Sequence, residues 1–82
     1  MNINDDNDAL SKYKSRLKRK RLSMKFTQQE LADLSGINIK SIASYEQSPE
    51  KINKASVETI LKLCDCLGCE IDDIIDKESL HL

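Results

Sequence analysis

Only three residues of 82 interrupt regular backbone: Gly36, Pro49 and Gly68. A sandwich or barrel needs a turn every few residues, so this scarcity points to helices joined by short connections. The length suits one domain, since a single core typically needs roughly 50–200 residues. Apolar residues make up 39 % and charged residues 33 %, which fits a compact, highly charged globule and not a mostly disordered chain. No run approaches the ~20 apolar residues of a membrane span. Met1 leads into Asn and Asp instead of a basic, apolar leader. The expectation is a soluble, cytoplasmic, all-α protein.

Hydrophobic spacing divides the chain into five helical segments. Residues 1–8 are acidic and Asn-rich and read as a disordered tail. Leu10, Tyr13, Leu17 and Met24 recur at helical spacing and predict a first helix over about 10–23. Thr27-Gln28-Gln29-Glu30 has the form of a capping box, in which the Thr27 hydroxyl and the Glu30 carboxylate each take the other's backbone N–H. It opens a short second helix, about 28–35, that Gly36 ends. Asn38 is a cap candidate for a third helix at about 39–47. On that helix Ile42, Tyr45 and Glu46 share one side, and Ile39, Lys40, Ala43, Ser44 and Gln47 share the other.

Residues 48–55 read as a loop. Ser56 can cap a fourth helix in which Val57, Ile60, Leu61, Leu63, Cys64 and Leu67 form an apolar stripe, closed by Gly68. A fifth helix at about 70–76 turns Ile71, Ile74 and Ile75 inward, with Asp72 and Asp73 near its positive N-terminal end. The folded domain is expected at 9–76, followed by a short tail at 77–82.

Charge is segregated along this chain. The formal net charge is −1, yet residues 11–26 carry eight bases and no acid, whereas residues 64–82 carry six acids and one base. Such a cluster can attract a polyanion despite the near-neutral total. The three cysteines, Cys64, Cys66 and Cys69, are an odd number without secretory features, which argues against a disulfide framework. Three thiolates with no evident fourth ligand make a poor metal site, and His81 is the only histidine. No metal or other cofactor is expected.

Two short helices joined by a tight Gly-containing turn match the helix-turn-helix, whose second helix enters a DNA major groove. The ordered segments Arg-Leu-Lys at 16–18, Phe-Thr-Gln-Gln-Glu-Leu-Ala at 26–32, Ser-Gly-Ile-Asn at 35–38 and Ser-Ile-Ala-Ser-Tyr-Glu at 41–46 extend the match. Ser-Val-Glu-Thr-Ile-Leu-Lys-Leu at 56–63 and Leu-Gly-Cys-Glu-Ile-Asp-Asp-Ile-Ile at 67–75 complete it. Together these segments resemble the phage repressor/Cro type of helix-turn-helix domain, also called the XRE family. The resemblance implies a compact five-helix repressor-like bundle with the helix-turn-helix in helices 2 and 3.

The resemblance also implies residue roles. Asn38, Ile39, Lys40 and Ser44 align with positions that contact bases; Lys40 suits guanine O6/N7, and Ile39 suits a thymine methyl. Gln28 falls where similar proteins place a glutamine on the DNA backbone, beside helix N-terminal amides that favour phosphate. Arg16, Thr27, Ser41, Gln47, Lys51, Asn53 and Lys54 are further backbone candidates. The bases of the first helix spread around it, so only two or three can face DNA. Arg21 and Glu46 occupy the positions of a largely buried ion pair that ties the first helix to the end of the third. Two departures stand out: a loop after Glu46 about three residues longer than usual, and a denser basic run in helix 1.

The leading functional expectation is a sequence-specific, double-stranded-DNA-binding transcriptional regulator, a repressor without a small-molecule effector. One helix reads few base pairs, so a homodimer on a pseudo-palindromic operator is implied, joined through the helix 4–5 region and the tail. The alternative is an antitoxin-like adaptor in which the same fold binds a protein partner. Catalysis is disfavoured, because the chain has no Ser/His/Asp set and no phosphate-cradling Gly loop.

Overall fold

The first helix starts where a hydroxyl can cap it, and this is six residues later than the apolar spacing predicts. In the computed structural model, which describes residues 9–80, Ala9 and Leu10 are helical and the chain then turns. The amide of Tyr13 donates to Leu10 O at 3.1 Å, closing that turn. Helix α1 then runs Arg16–Ser23, and the nearly buried Ser15 hydroxyl accepts from Lys18 N at 3.0 Å. A serine able to take the orphan amides of a new helix competes with continuing the old one. The expected tail at 1–8, and His81, lie outside the described residues.

α1 closes on Lys25, which has φ 61° and is not a glycine. Its amide still donates to Leu22 O at 2.9 Å, and Phe26 N donates to Arg21 O at 3.1 Å. A left-handed backbone at a residue with a Cβ costs about 1 kcal/mol, so the turn into the next helix is held against local preference.

Helix α2, Gln28–Ser35, has both halves of the expected capping box. Thr27 Oγ1 accepts from Glu30 N at 3.0 Å, and Glu30 Oε1 accepts from Thr27 N at 2.8 Å. Gly36, at φ 75°, lets the chain reverse into helix α3, Ile39–Gln47, which is capped by Asn38. These bounds are the predicted ones, because each end carries its own local signal.

Beyond α3 the chain departs from the reading. Pro49–Lys54 is a 3-10 helix and not a loop, anchored by Ile52 at 2 % exposure. Helix α4, Val57–Leu67, is capped by Ser56 and ended by Gly68 at φ 60°, but Val57 and Leu61 lie outside the buried stripe, 67 % and 46 % exposed. The fifth segment is only a 3-10 turn, Ile71–Asp73. Asp73 Oδ2 accepts from Glu70 N at 2.9 Å, so this carboxylate caps the turn instead of riding on a longer helix. Ile74 is buried and Ile75 partly so, whereas Ile71 faces solvent. The tail is docked over its described part: Lys77–Ser79 forms another 3-10 turn.

α2 packs on α3 and α4, α3 packs on α1 and on the 49–54 segment, and the 71–73 turn touches both α1 and α4. Leu17, Leu31, Ile42, Ile52, Leu63, Leu67 and Ile74 are the large side chains fully inside. Burying such a side chain contributes about 1.5–3 kcal/mol. The four helices therefore converge on one centre, and the architecture is the expected all-α bundle around a helix-turn-helix. No strand occurs among the described residues, and none of their helices is long and apolar enough to cross a membrane.

Candidate nucleic-acid interface

One buried carboxylate fixes how α3 stands on the rest of the molecule. Arg21 Nε donates to Glu46 Oε2 at 2.7 Å, and Nη2 donates to Oε1 at 2.8 Å. The remaining Nη1 donates to Phe26 O at 2.8 Å, and Gln28 Nε2 adds a fourth bond, to Glu46 Oε1 at 3.0 Å. The two charged side chains are only 8 % and 4 % exposed. Fork-to-fork pairing of this kind is strong and orientation-specific. It joins the end of α1, the start of α2 and the last turn of α3 at a single point.

The opposite side of α3 is open. Residues advance 100° per position, which brings Lys40, Ala43, Ser44 and Gln47 to one side and Ile42, Tyr45 and Glu46 to the other. Ile42 is completely buried, whereas Lys40 and Gln47 are exposed and Ser41, Ala43 and Ser44 are half-buried. Ile39 corrects the sequence reading: at the edge of this face, it packs partly against the core cluster and does not project freely. Between α1, α2 and α3 lies a cleft of about 270 Å³ lined by Lys18, Gln28, Ala43, Glu46 and Gln47.

Lys18 was not singled out by sequence, although its spacing from Arg21 places it on the same side of α1. Its ammonium sits 4.3 Å from the centroid of the Tyr13 ring, which anchors the chain without neutralising the charge.

Several candidates are engaged by the protein itself. Asn53 is the clearest correction. Its Nδ2 donates to Asp76 O at 2.9 Å and to Ser79 Oγ at 2.8 Å, while its Oδ1 accepts from Asp76 N at 3.0 Å. Both ends of that amide are used as a latch on the C-terminal segment, so Asn53 is not a free phosphate donor. The Gln28 amide has one N–H committed to Glu46 and a second left over. Asn38 Oδ1 accepts from Lys40 N at 2.7 Å, which leaves its NH₂ group. Thr27 acts as a cap through its oxygen. Lys51 and Lys54 are exposed beyond α3. Arg16 is two residues from Lys18, hence about 160° around the helix by the shorter way, and it lines a different cleft with Arg19 and Lys20.

The cysteines have no role in this face. Cys64 is buried, and Cys69 completes the turn after α4, with its amide donating to Cys64 O at 3.1 Å. Burial raises all three thiols above the ordinary range, and Cys69, further disfavoured as thiolate by its neighbour Cys64, is pushed up to about 11. The described residues include no cluster able to hold a metal.

The Helix-turn-helix family model matches residues 17–74, which takes in α1 to α4 and the turn that follows. No curated protein and no solved structure matches the chain. The family is one of DNA-binding transcription regulators. With more than half of its length matched, this chain belongs to the phage repressor/Cro type, or XRE family, of helix-turn-helix proteins.

Proposed function

We propose that the chain is a sequence-specific transcriptional repressor that lays α3 in the DNA major groove. The supporting observation is the division of α3 itself. Its Ile42 and Glu46 side is locked to the core, while on the other Lys40 and Gln47 are exposed and Ser44 is half-buried. Lys40 supplies the principal base-edge contact, to guanine O6/N7, with Ser44 beside it and Asn38 and Ile39 at the groove's edge. Gln28, Gln47, Lys18 and Ser41 hold the flanking phosphates, and the first-turn amides of α2 favour the same charge. Lys51 and Lys54 reach the backbone further along. The Arg21–Glu46 pair sets the angle of the reading helix without touching DNA.

A helix this short reads few base pairs, so two copies bind a pseudo-palindrome with half-sites about 34–36 Å apart or a multiple of that. Selection of bound sites from random duplex DNA, followed by a salt titration on the winner, tests the reading. An enriched palindrome whose affinity falls ~10³-fold between 50 and 200 mM salt supports it, as six or so phosphate contacts require. Failure to enrich any sequence would hand the fold to a protein partner instead.

A further inference from the structure

The eight residues of α1 carry charge on two sides, and the DNA reading uses only one of them. Arg16, Arg19, Lys20 and Ser23 fall at i, i+3, i+4 and i+7 and share a side. Arg21 points instead to Glu46. The side carrying Arg16 borders a cleft of about 490 Å³ whose far wall includes Leu10 and Asp73. Three cations thus face one carboxylate, and that carboxylate is already tied to the amide of Glu70.

None of the three cations has an ion pair among the described residues. Arg19 is held in place by the carbonyls of Tyr13 and Lys14, and it also borders a neighbouring cleft that includes Glu50, Asp76 and Glu78. Arg16 is the most telling. Its Nε is shielded from solvent and has no hydrogen-bond partner. Buried donors nearly always have a partner, and an orphaned one calls for an explanation. The opposite case lies five residues along the same helix, where every nitrogen of Arg21 meets an oxygen.

We propose that this cleft binds the phosphate group of a small phosphorylated molecule. Guanidinium groups present paired N–H donors that match two oxygens of one phosphate, and a lysine adds a compact charge. A turn of the Arg16 guanidinium brings Nε and one Nη side-on to an oxyanion in the cleft, which satisfies the orphan. Arg16 and Lys20, with Arg19 at the boundary it shares with the neighbouring acidic cleft, suit a phosphate better than a single carboxylate. The volume lies within the ~300–1,000 Å³ of small-molecule clefts, and Leu10 offers an apolar contact for the rest of the ligand. The site lies around α1 from Lys18 and Arg21 and does not depend on the DNA reading.

The test is an NMR titration of the full chain with inorganic phosphate and with adenosine monophosphate, at ionic strength fixed with potassium chloride. Arginine Nε–H signals are followed together with the backbone amides. The expected result is saturable binding, with the largest shifts at Arg16 Nε–H and around Lys20. Arg16→Gln and Lys20→Gln should each weaken it about tenfold, while Lys62→Gln leaves it unchanged. If Arg16→Gln fails to fold, Lys20→Gln decides alone.

Small shifts spread over every basic residue, or full binding retained by Lys20→Gln, would overturn the site. Binding that appears only after Asp5→Asn, Asp6→Asn and Asp8→Asn would give the cleft to the chain's own acidic segment. Displacement of bound phosphate by an unrelated duplex oligonucleotide would assign it to nucleic acid. Either result would also overturn the proposal.

Discussion

Arg21 and Arg16 stand five residues apart on one helix, and their surroundings are opposite. Arg21 is enclosed, with two nitrogens on the Glu46 carboxylate and the third on Phe26 O. Arg16 borders an open cleft with two other cations, and its Nε meets no acceptor. A run of like charges is therefore not one feature. Rotation around the helix turns one arginine into a joint between three helices and the other into an uncommitted donor.

The largest effect should come from breaking the satisfied arginine. Arg21→Ala strands a buried carboxylate and should cost about 3–5 kcal/mol in thermal or urea unfolding. That is a large share of the ~5–15 kcal/mol a domain possesses. A paired Arg21→Met, Glu46→Leu replacement removes both charges and should recover most of the loss. If it does not, the pair does more than compensate itself.

Next in size is Lys40→Ala on the open side of α3. It should relax preference at one operator position by about 1–3 kcal/mol and leave the melting temperature nearly unchanged. Asn53→Ala extends the comparison to a satisfied neutral group. Losing three hydrogen bonds should cost about 1–2 kcal/mol and speed hydrogen exchange in the Asp76–Ser79 stretch. The smallest effect belongs to the uncommitted arginine: Arg16→Gln should shift stability by less than about 0.5 kcal/mol. A loss as large as that of Arg21→Ala would erase the distinction between the two.

The legible parts of the fold are those whose ends carry a local chemical signal. Thr27 with Glu30, Gly36, Asn38, Ser56 and Gly68 each mark a boundary that the structure keeps. The misread parts depend on choices between competing caps or on distant contacts. Ser15 restarts a helix that the spacing of Leu10, Tyr13 and Leu17 made look continuous. Asp73 captures the amide of Glu70 and holds the fifth segment to one turn, so that Ile71 is left outside.

The interface shows the same division. The open side of α3 followed from periodicity, except that Ile39 leans onto the core. The latch made by Asn53 joins residues 23 and 26 positions apart, and no local pattern announces it. Lys18 was within reach of the helical wheel, because it shares the Arg21 side of α1, but a dense basic run obscured it.

In the proposed reading, Lys40 on α3 meets a base edge. The most direct measurement replaces each guanine of the enriched operator, one at a time, with 7-deazaguanine and compares the wild type with Lys40→Ala. One substitution should weaken the wild type by about fivefold or more and leave Lys40→Ala unaffected, since both changes remove the same hydrogen bond. If every guanine substitution affects the two proteins equally, Lys40 makes no bond to a guanine N7 and the proposed contact fails.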